Sequence, residues 1–145
     1  MKIFIKSKTL LLAIAAITLV ACASMSSSAP TATRSTTLGD VLTDEAGMTL
    51  YIFTRDTAGV SNCSGGCAAN WPPFMAADDA TAGGKFSLVT RGDGGQQWAY
   101  EGMPLYYWVG DSKPGDVTGQ GVNNVWFVVP ASGAAASSDS MSSGY

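Results

Sequence analysis

The stretch GMTLYIFTRD (residues 47–56) returns as GMPLYYWVGD (residues 102–111), shifted by 55 positions, with its glycine, methionine, leucine, tyrosine and aspartate in register. At the same shift Phe53 falls on Trp108, Gly66 on Gly121 and Trp71 on Trp126. Each copy reads as a strand, a glycine turn, an aromatic strand ending near an aspartate, a glycine-rich loop and a tryptophan. Two copies are too few for a solenoid, which needs three or more units. The duplication therefore predicts one domain in which two units close on each other about a pseudo-twofold axis.

The surrounding sequence is strand-like. Runs rich in Val, Ile, Tyr, Phe, Trp and Thr at 40–43, 49–54, 86–90, 97–100, 105–109 and 125–129 are divided by glycine turns. No stretch of the domain keeps a helical apolar period for long. The segment CAANWPP offers one short helical turn, stopped by Pro72 and Pro73. The expectation is an all-β fold: a small single domain of about seven or eight short antiparallel strands. It spans 36–130, with repeat 1 at about 36–91 and repeat 2 at about 92–130.

Alternation along the aromatic strands puts Leu50 and Ile52 on one face and Tyr51 and Phe53 on the other. The second copy repeats this with Leu105 and Tyr107 opposite Tyr106 and Trp108. The aliphatic face is expected to be core. The ring-bearing face is expected to fill a second layer, with Asp56 and Asp111 capping the loops that follow them. The alternative is a ligand-facing role for Trp71, Trp108 and Trp126.

Outside this domain the chain carries an address. Lys2, Lys6 and Lys8 precede an apolar run over 10–21, the layout of a secretory signal peptide at 1–21. Twelve residues are too few to span a bilayer, which takes roughly 20. The run ends LVAC, resembling the lipobox of bacterial lipoproteins, in which the cysteine, here Cys22, is acylated and becomes the N-terminus. Ala23 follows where an aspartate would signal inner-membrane retention, so the resemblance implies an outer-membrane anchor facing the periplasm. The competing reading is cleavage at the small residues 21–23 and release. Residues 22–35 then form a Ser/Ala/Thr/Pro tether and 131–145 a tail unable to bury a core.

Cysteine and histidine counts narrow the chemistry. With Cys22 lipidated, two of the three cysteines remain, Cys63 and Cys67 in CSGGC, free to pair in an oxidising compartment. A redox-active dithiol is the alternative, against which stand the spacing and the absence of an adjacent cation. There is no histidine, which removes CxxCH haem attachment, histidine-containing zinc or type-one copper sites, and Ser-His-Asp or Cys-His catalysis. No cofactor is expected. Beyond the signal, five basic residues stand against eleven acidic ones, a balance unsuited to nucleic acid.

Tyr51, Phe53 and Asp56, and again Tyr106, Trp108 and Asp111, match Y-x-(F/W/Y)-x-x-D. That signature, with the surrounding glycines and Trp71-Pro72-Pro73, resembles a family of predicted bacterial lipoproteins described as a secreted repeat of unknown function. The resemblance implies an envelope location and no established activity. Three functions follow as expectations. The first is a non-catalytic envelope module meeting a protein, glycan or small molecule through its aromatic and glycine-rich loops, anchored to the membrane by lipid. The second is a redox or copper-handling accessory using Cys63, Cys67, Met48 and Met103, since copper(I) prefers soft sulfur. The third is a hydrolase with Asp56 and Asp111 as paired carboxylates.

Overall fold

The computed structural model describes residues 28–132; the signal, Cys22 and most of the tail lie outside them. Seven short strands run in the order β1 (Thr31–Thr36), β2 (Gly39–Asp44), β3 (Tyr51–Phe53), β4 (Phe86–Thr90), β5 (Gln96–Tyr100), β6 (Met103–Pro104) and β7 (Trp126–Val128). One helix, α1 (Gly66–Asn70), follows β3, and a 3-10 turn at Val122–Asn124 precedes β7. All strand pairings are antiparallel: β1 with β2, β3 with β7, and β4 with β5 with β6. Pro72 stops α1 as the sequence predicts, because proline cannot continue the ladder of helical donors.

The pseudo-twofold axis passes between two tyrosines. Tyr51 and Tyr106 exchange both backbone hydrogen bonds, 2.8 and 2.9 Å. Around them the backbone pattern repeats pair by pair. Thr54 N–H donates to Val125 O at 2.8 Å, and Val109 N–H to Asn70 O at 3.1 Å. Val129 N–H donates to Leu50 O at 3.3 Å, and Phe74 N–H to Leu105 O at 2.9 Å. The aromatic strand of each copy is therefore laid against the tryptophan segment of the other copy. The two units interlock instead of merely touching.

Two hairpins, β1–β2 and β4–β5, take equivalent places beside this centre. Leu42 N–H donates to Val129 O at 2.8 Å, and Trp98 N–H to Phe74 O at 2.9 Å. The hairpin β1–β2 corrects the expected tether: residues 31–35 are strand, registered from Thr31 opposite Asp44 to Thr36 opposite Gly39. Composition concealed β1 because its threonines and serine are mostly exposed, while β-branched threonine suits a strand whose partner supplies the buried side chains. Arg34 fastens β1 by lying over two glycines: a Cβ at Gly47 would come within 2.8 Å of its Nη1, and one at Gly115 within 3.0 Å of its Nε.

The expected strand at 105–109 is also corrected. Only Tyr106 bridges there, to Tyr51 on one side and Pro73 on the other. Pro72, the counterpart of Phe127, accepts from Tyr107 N–H at 2.8 Å but has no N–H to return, whereas Phe127 pairs with Ile52 inside β3–β7.

Alternation sorts the core as the sequence predicts. Leu50, Ile52 and Leu105 pack with Leu42, Phe74, Trp98, Phe127 and Val129, and Tyr107 lies against them. On the other side Tyr51 and Tyr106 pack with Val41, Cys63, Trp71, Trp126 and Val128, flanked by Phe53 and Trp108. Among the described residues no helix is long and apolar enough to cross a membrane.

Candidate functional site: an aromatic cleft on the pseudo-twofold axis

The tyrosines and aspartates of the repeated motif bond across the copies. Tyr51 O–H donates to Asp111 Oδ2 at 2.7 Å, and Tyr106 O–H donates to Asp56 Oδ2 at 2.6 Å. The second oxygen of each carboxylate caps the loop after it, as the sequence predicts. Asp56 Oδ1 accepts from Asn62 N–H at 2.7 Å, and Asp111 Oδ1 from the N–H and hydroxyl of Thr118 at 2.9 and 2.7 Å. All four side chains are buried. Burial comes first in raising both phenols well above their ordinary value, and the carboxylate each faces adds to it. Burial also raises Asp56, against the opposing bonds from Tyr106 and Asn62.

These bonds also revise the match between the two loops. Asn62 and Thr118 play the same part, so Cys63 stands opposite Gly119, one step away from the equivalence with Thr118 that a constant shift of 55 gives. Gly65 and Gly121, both in the left-handed region (φ 54° and 75°), then correspond as the residues that open α1 and the 3-10 turn; Gly66 is not the partner of Gly121. Gly119 has to be glycine: a Cβ there would lie 2.9 Å from the rings of both Trp71 and Tyr51.

Cys63 and Cys67 form the expected disulfide, with Cα atoms 5.3 Å apart. Its loop is held by a network the sequence did not announce. Arg91, 6% exposed, donates from Nη1 to Ser61 Oγ at 2.8 Å and to Gln97 Oε1 at 2.7 Å, and from Nη2 to Cys63 O at 3.0 Å. Gln97 in turn donates to Leu105 O at 2.7 Å. Tyr106 directs its hydroxyl hydrogen at Asp56, so at 2.7 Å the Ser61 hydroxyl donates to Tyr106. A lone arginine before GDGG carries no pattern that distinguishes it from a solvated loop cation.

The three tryptophans of the binding hypothesis come together. The rings form one stack in the order Phe53, Trp126, Trp71, Trp108, with centroid spacings of 4.3, 3.9 and 4.2 Å. The pseudo-twofold relates its halves, with Trp71 and Trp126 nearly parallel at 2°. Tyr51 stands edge-on to Trp71, and Tyr106 edge-on to Trp126. Trp71 and Trp126 are buried, at 4% and 3% exposure, and are as much core as surface; Phe53 and Trp108 are half-buried.

Beside the stack runs a cleft of about 520 Å³, lined by all four rings. That volume lies within the usual range for small-ligand sites. Arg55, Asn70, Cys67 and Asn123 also line it, and sequence reasoning missed the polar three because none belongs to the repeated pattern. Asn123 and its neighbour Asn124 adopt φ of 51° and 56°, which bends the 3-10 turn along one wall. Of the sulfur atoms considered together from the sequence, only Cys67 lines this cleft; Met103 packs against the opposite core layer. Among the described residues no group of three or more His, Cys, Asp or Glu side chains is placed to hold a metal.

A family model described as a secreted repeat of unknown function matches residues 32–75 and 87–130, one match to each copy. The matches start within β1 and β4, so a division of the repeats at residue 91 would cut the hairpin β4–β5 from its first strand. No curated protein and no solved structure matches the chain.

Proposed function

We propose, for a chain that belongs to the family described as a secreted repeat of unknown function, that it is a non-catalytic envelope module which binds through its aromatic cleft while acylated Cys22 holds it to the outer membrane. One observation carries the reading: the polar atoms of the repeated motif are consumed inside the fold. Both oxygens of Asp56 and of Asp111 accept hydrogen bonds from a tyrosine of the other copy and from the following loop. A general acid or base has to exchange its proton with a substrate, and these carboxylates face protein donors. This favours scaffold aspartates over a paired-carboxylate hydrolase. The separation of Met103 from Cys63, which pack in opposite core layers, gives a four-sulfur copper site no support. In the cleft, by contrast, the Arg55 guanidinium joins no ion pair among the described residues.

Residues 23–30 lie between Cys22 and β1. Even fully extended, they reach about 30 Å, so an anchored domain works close to the bilayer surface. The test is photo-crosslinking of the lipidated protein in intact envelopes from a reactive side chain at position 70, beside the same chain carrying Trp108→Ala. A cleft-bound ligand or partner gives a defined product that disappears with Trp108→Ala. An unchanged product, or none in the parent, removes the reading.

A further inference from the structure

The proposed binding role leaves open what the cleft takes, and the chemistry of its walls narrows this. Although the chain is acidic overall, with eleven Asp and Glu against eight Lys and Arg, no carboxylate lines the cleft and one guanidinium, that of Arg55, does. Arg55 forms no ion pair among the described residues, where the salt bridges join Lys85 to Glu101, Arg91 to Asp93 and Lys113 to Asp116. The indole N–H groups of Trp71, Trp108 and Trp126 take part in no hydrogen bond among the described residues. The lining is thus apolar rings with a single positive charge that joins no ion pair among the described residues.

The two ends of the cleft differ despite the pseudo-symmetry. Arg55 falls at the Phe53 end, where Val125 is bonded to the backbone of Thr54. The matching position at the Trp108 end is Gly110, packed so closely that a Cβ there would lie 2.2 Å from the Trp108 nitrogen. The cation therefore has no counterpart across the axis, and a ligand with one charged end is oriented by it.

We infer that the cleft binds a small organic anion, an apolar ring system carrying one carboxylate, with the acid group at Arg55 and the ring body along the tryptophans. This rests on the binding role proposed above. Charge-assisted hydrogen bonds from a guanidinium to a carboxylate are among the stronger polar contacts, and the apolar walls supply area burial for the remainder.

The probes are 2-naphthoate, its neutral amide and 2-naphthylmethylammonium, titrated into the full lipidated chain and followed by the indole N–H resonances. Trp98, in the opposite core layer, is the internal control. Naphthoate is expected to shift Trp71, Trp108 and Trp126 but not Trp98, and to bind about tenfold more tightly than the amide. Arg55→Gln, at an exposed side chain, should abolish that preference without altering the melting temperature. Equal binding of amide or ammonium overturns the anion assignment while leaving a cleft that binds. Silence of all three resonances with every probe also overturns it, and the envelope crosslink then decides the binding role independently.

Discussion

At the residue scale, the repeated tyrosine and aspartate are a reciprocal pair of buried hydrogen bonds. Each tyrosine hydroxyl also receives a donor, Gly119 N–H for Tyr51 at 3.2 Å and Ser61 for Tyr106. Tyr51→Phe and Tyr106→Phe should therefore each cost about 1 to 3 kcal/mol by stranding a buried carboxylate oxygen. Truncation of either ring to alanine should cost roughly 3 to 5 kcal/mol. Equal losses in chemical denaturation at the two sites are expected; a large inequality would contradict their equivalence. Asp56 makes a pH prediction with a definite sign. Its folded pKa lies above the ordinary value of 3.8, so the folded state binds the proton more tightly than the unfolded chain. Its contribution is complete below pH 3.8 and is lost as pH rises through the folded pKa. Relative to Asp56→Asn, the parent protein should lose stability on going from pH 3 to pH 7, and a flat difference would refute the raised pKa.

At the element scale, the disulfide loop and α1 form one wall of the cleft, held by a short covalent ring and by Arg91 from the other copy. Closing so small a loop contributes only about 2 kcal/mol on the chain-entropy view. Reduction should leave the sheets intact while amide exchange quickens between residues 63 and 71. Arg91→Met should loosen the same amides with the disulfide still closed. Unchanged exchange in that variant would show that the buried guanidinium does not hold the loop. The strand pattern here was legible because apolar alternation is local. β1 was not, since its residues are solvated and only pairing with β2 makes them a strand.

At the scale of the whole molecule, the duplication serves closure. Tyr51 pairs with Val128 of the other copy and Tyr106 with Pro73, so one copy by itself lacks the backbone partners of its own central strand. A fragment ending after Met75 should give the circular dichroism of an unfolded chain, because too few strands and too little apolar area remain. Fragments 23–80 and 81–145, unfolded separately, should regain β structure when mixed. A folded first fragment would show that the interlocking is dispensable.

The sequence by itself determined the doubled unit, the all-β class, the two faces of the aromatic strands and the cysteine pair, because each is written in local spacing or in a count. Only the tertiary structure decided who bonds to whom. A buried tyrosine and a buried aspartate each need a partner, but nothing in the linear order says that the partner is in the other copy. The same holds for the stack that joins Phe53 to Trp108 through Trp126 and Trp71, and for Arg55, an unremarkable loop residue until folding sets it beside four rings. Periodicity reports which face is buried, whereas contacts between residues distant in sequence depend on how two interlocked copies satisfy their backbone donors together.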